Sequence, residues 1–128
     1  MARFTTVNLK EVENSAGERS PDLEARFARS RLDSEHLGVS YFRYAPGYRS
    51  TDGHSHREQE EVYLVVSGSG RVKLDDEIVE LGEWDLVRVA PETIRAFEAG
   101  PDGLEVIAIG SDRPEGGDGI RATDFWID

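Results

Sequence analysis

His54-Ser55-His56-Arg57-Glu58-Gln59-Glu60-Glu61 runs directly into Val62-Tyr63-Leu64-Val65-Val66. Successive side chains of a strand point to opposite faces, so His54 and His56 leave the same face. The run after Glu61 is apolar and β-branched enough to be a buried strand. Two imidazoles and one carboxylate, brought together across neighbouring strands, make a ligand set for a divalent first-row metal.

Working outward, the sequence is β-like in both directions. Val39-Ser40-Tyr41-Phe42-Arg43-Tyr44-Ala45 reads as a strand that ends at the turn pair Pro46-Gly47. Glu61 to Ser67 is expected to be a strand closed by Gly68-Ser69-Gly70. Arg71 to Leu74 then reaches a polar hairpin turn at Asp75-Asp76 and returns through Ile78 to Leu81. Gly82-Glu83-Trp84-Asp85 turns into Leu86 to Ala90. Ile94 to Phe97 and Leu104 to Ile109 are separated by Gly100-Pro101-Asp102-Gly103. Upstream, residues 1 to 20 form a polar lead-in with one short alternation from Phe4 to Leu9. Asp22 to Arg31 fits both helical spacing (Leu23, Phe27) and alternation (Leu23, Ala25, Phe27). Downstream, Ser111 to Gly119 is rich in glycine and charge and reads as an extended surface segment, with Phe125-Trp126 available to anchor it.

Short strands punctuated by Gly/Pro turns indicate an all-β, antiparallel sandwich or barrel, and a double-sheet jelly roll fits the length best. The glycines read as turn residues between apolar runs. The chain of 128 residues is one domain, with a core over about residues 23 to 110 and a C-terminal tail over 111 to 128. It has no cysteine, which excludes zinc–thiolate sites, dithiols and disulfides. The net charge of −11, with no basic patch to offset it, argues against nucleic acid as a partner. No segment has the length of a membrane span, and Met1 to Val7 lacks a signal-like apolar core, so a cytoplasmic location is expected.

These residues resemble the cupins. The first cupin motif is a glycine, a short spacer, His-x-His, three or four residues, Glu, six residues and Gly. It is matched by Gly47, His54-Ser55-His56, Glu61 and Gly68, with a spacer one residue longer than usual. The second motif runs from a glycine through Pro-x-Gly to His and Asn and is similar to Gly82 through Phe97. There Glu92 stands at the turn glycine, Arg95 at the fourth metal ligand, and nothing near Glu98-Ala99 matches the asparagine. The likeness spans roughly residues 35 to 110. It implies a double-stranded β-helix (jelly-roll) barrel with the ligands at its open mouth. It also implies a small single-domain cupin, homodimeric through edge strands and terminal segments, with Phe125-Trp126 as a contributor.

Arginine has no free lone pair, so Arg95 cannot ligate a metal. Two readings stand. In one, His54, His56 and Glu61 hold zinc, iron, nickel or manganese, and Arg95 orients a small anionic ligand. In the other, Arg95 pairs with Glu61 and no metal binds. Tyr63 shares the Glu61 face and either donates into the pocket or sits in the core, and Phe97 is expected to be a pocket wall. Asp52 is a loop aspartate that can serve as second partner to an imidazole. His36 is expected to be exposed, Glu58 and Glu60 to form a solvated edge, and Trp84 and Trp126 to be packing anchors. The function classes are a metal-dependent isomerase or dioxygenase, a metal-free or non-catalytic small-molecule binder, and a filled structural barrel. The polar inward set, His54, His56, Glu61, Tyr63 and Arg95, ranks the structural barrel last.

Overall fold

The computed structural model describes residues 3–17 and 20–126. Eight strands carry almost all of the order: β1 (Leu23–Phe27), β2 (Gly38–Tyr44), β3 (Gly53–His56), β4 (Glu61–Leu74), β5 (Glu77–Leu81), β6 (Leu86–Val89), β7 (Arg95–Gly110) and β8 (Gly119–Ala122). One turn of helix, α1 (Arg29–Leu32), joins β1 to β2. Every strand pair is antiparallel. The ambiguous segment after Asp22 is thus a strand, because Leu23, Ala25 and Phe27 pair with Tyr44, Phe42 and Ser40 of β2. Among the described residues no helix is long and apolar enough to cross a membrane.

The architecture turns on β4 and β7, which are longer than the sequence suggests. Each was expected to break at its glycines, yet each runs through them, over 14 and 16 residues. The two strands pair along nearly their whole lengths and bend together, with register shifts between Val65 and Ser67 and between Gly68 and Gly70. The bend needs glycine. Gly68 has φ +81°, and a Cβ there would fall on the carbonyl oxygen of Gly103, itself at φ +83°. These glycines sit inside strands, where two backbones approach closely, rather than in turns between them.

The bent pair spans two curved layers. One contains β1, β2, the second half of β7, the first half of β4, and β6. The other contains β8, β3, the first half of β7, the second half of β4, and β5. Their inner faces bury Tyr44, Tyr63, Val65, Val72, Leu81, Val89, Phe97, Leu104 and Val106. Aromatic rings link the layers, with Phe97 lying 4.9 Å from Tyr63 and 6.1 Å from Tyr44 between centroids. Apolar packing fills one end of this bowl. The other end stays open because the strands there carry polar or small inward residues.

The tail is built into the sheet. Residues 119–122 form β8 and pair with β3, so that His54 lies opposite Arg121 and His56 opposite Gly119. Beyond it, the Phe125 ring packs on Gly53, and its carbonyl accepts a 2.7 Å hydrogen bond from the buried Lys73 ammonium. The Trp126 ring lies 4.4 Å beneath the Arg49 guanidinium. Both tail aromatics act as anchors. Trp84 does not, since 69% of it is exposed.

Candidate metal centre and its cavity

Local strand geometry assembles the triad. β3 presents His54 and His56 on one face, with Ser55 buried on the other. Glu61 is the first residue of β4, and Tyr63 follows on the same face. Potential ligand atoms of His54, His56 and Glu61 all lie within 4.8 Å of one another. Glu61 Oε1 is 3.1 Å from His56 Nε2 and 3.7 Å from His54 Nε2. It also accepts a 2.6 Å hydrogen bond from the Tyr63 hydroxyl. The two imidazoles stand edge to face, 5.0 Å between centroids.

Electrostatics fix the protonation of this group. Burial pushes the Glu61 carboxyl up, but His54, His56 and the Tyr63 hydroxyl outweigh it and hold it well below the usual range. Burial and the adjacent Glu61 charge push the Tyr63 phenol well above its ordinary value, so it is a fixed donor. His56 is raised, chiefly by its hydrogen bond to Glu61, against burial and with help from Asp118.

Asp118 is a site residue that sequence reasoning placed in a surface segment. Only 6% of it is exposed, and its Oδ1 lies 2.8 Å from His56 Nδ1. Its Oδ2 accepts the backbone N–H groups of Glu58 and Gln59 at 2.8 Å each. Burial pushes its carboxyl up, but these donors prevail and bring it down to about 2. The ionised carboxylate can only accept, so His56 donates its Nδ1–H to Asp118, and Nε2, which donates to Glu61 here, is the nitrogen left to ligate a metal once its proton is displaced. The available signal was an aspartate in a glycine run (Gly116-Gly117-Asp118-Gly119), a composition suited to a sharp turn that caps a neighbouring loop. Asp52, read as a loop aspartate that could also have partnered an imidazole, is bound by the Arg121 guanidinium at 2.7 Å instead.

Arg95 forms no ion pair with Glu61, contrary to one of the two readings of the sequence. Its side chain is completely buried, and its guanidinium donates to the carbonyls of Ala90 (3.1 Å) and His54 (3.5 Å). Its Nε has no partner. Glu61 is already satisfied by Tyr63 and His56, and the register that places Arg95 opposite His54 turns the guanidinium toward backbone carbonyls instead. His36 is exposed and pairs with Asp112, away from the triad. Glu60 and Arg88 form an exposed pair, as a solvated edge requires.

The triad opens into a cavity of about 590 Å³. Tyr63, Phe97 and Arg95 form part of its lining, with Arg95 at a floor closed to solvent, and Leu23, Phe27 and Phe42 supply an apolar wall. The volume suits a small organic ligand. Three ligand atoms with an open side could hold a divalent ion, and Arg95, opposite His54 in register, has no lone pair to add to them.

The comparisons with known proteins agree with this fold. The cupin domain family matches residues 40–110, more than half of the sequence, and the chain belongs to that family. A cupin protein from Bacteroides fragilis superposes with a TM-score of 0.72 at 23% identity, covering 89% of this chain and 88% of that one. The polyketide cyclase RemF from Streptomyces resistomycificus gives 0.73 at 17% identity, covering 97% and 87%. A sugar phosphate isomerase of the cupin superfamily from Silicibacter pomeroyi gives 0.70 at 17% identity, covering 85% and 76%. No curated protein sequence matches the chain.

Proposed function

We propose that this cupin holds one divalent transition metal, zinc, iron, nickel or manganese, on His54, His56 and Glu61, and uses it on a small anionic molecule bound in the cavity. The observation that carries this reading is the convergence of three ligand atoms within 4.8 Å, with His56 oriented by Asp118 so that its Nε2 faces Glu61 and His54. A metal on this face would polarise a carbonyl or bind a substrate oxygen, chemistry suited to isomerisation or to dioxygen-dependent cleavage. Tyr63 holds its proton beside Glu61, and the buried Arg95 adds positive charge under the pocket, which favours an anion above it. Phe97 braces Tyr63 from the core side. Two fold relatives act on small molecules, a sugar phosphate and a polyketide.

One observation favours a second reading, a metal-free or non-catalytic small-molecule binder. The same Arg95 charge that attracts an anion opposes a cation, and no carboxylate within 4.0 Å neutralises it. Elemental mass spectrometry on protein purified without chelators separates the two. Near-stoichiometric metal in the parent and little in His56→Ala supports the metal site. No metal in the parent, even after reloading, leaves the binder.

The assembly we propose is a homodimer. Trp84 and Leu86, 69% and 67% exposed, lie at β6, which pairs on one edge only, with β4. Light scattering on the parent and on Leu86→Glu tests this. A monomeric parent would end the idea.

A further inference from the structure

Three strands carry one row of inward-facing positions at the cavity mouth: Gly38 on β2, Gly110 on β7 and Glu61 on β4, each the register partner of the next. Cross-strand partners face the same side, so both glycines face the cavity as Glu61 does. Neither place is empty. A Cβ at Gly38 would come within 2.6 Å of Arg29 Nη2 and 3.1 Å of its Cζ. A Cβ at Gly110 would meet the Gln59 amide, with its Cδ at 3.0 Å. The missing side chains leave room for a guanidinium and a carboxamide laid against the sheet. Both are pinned from behind by one acceptor, the Ser111 carbonyl, at 2.9 Å from Arg29 Nη2 and 3.0 Å from Gln59 Nε2.

The charges are arranged to match. Arg29, Arg95 and Arg113 all line the cavity, and none has a carboxylate of the described residues within 4.0 Å. Elsewhere Arg26 and Arg43 pair with Glu24 and Arg71 with Glu98, whereas Arg3, Arg31 and Arg57 form no ion pair among the described residues. Of the two acidic residues lining the cavity, Asp52 is neutralised by Arg121 and Glu61 belongs to the triad. A chain of net charge −11 therefore keeps its cavity cationic.

We infer that Arg29, backed by Gln59 and with Arg113 at the rim, binds the carboxylate or phosphate of a ligand whose other end reaches the His54–His56–Glu61 triad. This rests on the metal reading above and adds the ligand class. Only one of the guanidinium's five N–H donors is engaged with Ser111, which leaves an edge for a planar oxyanion. Between the two ends, Ser40 and Ala108 are small, and Phe27 and Phe42 form the wall, so the body of the ligand is apolar and flat. Gly38 and Glu61 stand two strand spacings apart, about 10 Å. A small para-substituted aromatic acid, with an anionic group at one end and an oxygen at the other, is a suitable probe of such a pair of subsites.

Calorimetric titration of the metal-loaded protein with 4-hydroxybenzoate, phenyl phosphate and neutral 4-hydroxybenzamide tests this. Both anions are expected to bind and the amide to bind at least tenfold more weakly; the tighter of the two anions identifies the oxyanion. Arg29→Gln should weaken the anions by about tenfold or more and leave the amide and the metal content unchanged. Gly38→Ala should do the same, because its methyl group evicts Arg29. Arg113→Gln, at an exposed position that cannot compromise folding, should cost about two- to fivefold for the anions alone. Equal binding of acid and amide, no binding of either anion by the parent, or an unaltered affinity in both Arg29→Gln and Arg113→Gln would overturn the subsite. Failure of the metal reading is visible separately: a parent that holds no metal yet binds the anions in an Arg29-dependent way loses the triad ion and keeps the subsite.

Discussion

His56 and Asp118, 62 residues apart, meet through a 2.8 Å contact in which the imidazole Nδ1–H donates to Oδ1 of the ionised carboxylate. The same carboxylate caps the backbone of Glu58 and Gln59, so it holds both the histidine and the loop that carries the chain from His56 to Glu61. The C-terminal segment therefore sets the orientation of a ligand that the first motif supplies.

Asp118→Asn should keep the fold and lower metal affinity by about 10- to 100-fold, since the imidazole loses its ionised partner. Competition against a fluorescent chelator reads the affinity. An affinity equal to the parent's would show that Asp118 serves the loop alone.

Arg95→His should tighten metal binding on the order of tenfold or more. It replaces a buried cation that cannot ligate with an imidazole at the place of a fourth ligand, opposite His54 in register. The same chelator competition decides it, with Arg95→Met as the control that removes charge without adding a ligand. Weaker binding in Arg95→His than in Arg95→Met would mean that residue 95 is out of reach of the triad.

Gly68→Ala should destabilise by about 2 to 4 kcal/mol, combining a left-handed conformation with a methyl group driven into the Gly103 carbonyl. Ala at Gly116, also at positive φ but with open space around it, should cost only the conformational part, about 1 to 2 kcal/mol. Chemical denaturation compares the two. Equal losses would remove the close approach of β4 and β7 as the reason for Gly68.

Glu98 sets an acid limit on stability. Burial pushes its carboxyl up, but Arg71 and Arg49 outweigh that and hold it below its ordinary value. A depressed carboxyl stabilises fully above its unfolded pKa, near 4.3, and that stability is lost as pH falls through the folded value. Glu98→Gln should therefore be less stable by about 1 kcal/mol at pH 7 and converge on the parent below about pH 4. Melting curves across this range test it; a gap that persists at pH 3 would assign the loss to packing.

Much of the fold was legible because it rests on local pattern. The β-branched run from Val62 to Val66, the alternation from Val39 to Tyr44 and the Asp75-Asp76 turn each declare themselves within a few residues, since the inward and outward faces of a strand repeat every second position. The same periodicity put His54, His56, Glu61 and Tyr63 on faces that can meet. The glycines misled for a physical reason. A glycine needed for a turn and one needed where two backbones touch are identical in sequence, and only the pairing of Gly68 with Gly103 tells them apart.

What the sequence determined by itself was an antiparallel β-barrel with a His-His-Glu face, because strand geometry and metal-ligand chemistry depend on neighbours along the chain. What only the tertiary structure decided were the partners across it. Asp118 rather than Asp52 holds His56, Arg95 faces backbone carbonyls rather than Glu61, and Gly38 and Gly110 make room for Arg29 and Gln59. Such pairings depend on register between strands distant in sequence, and register is settled when the strands close on one another, not by any single stretch of residues.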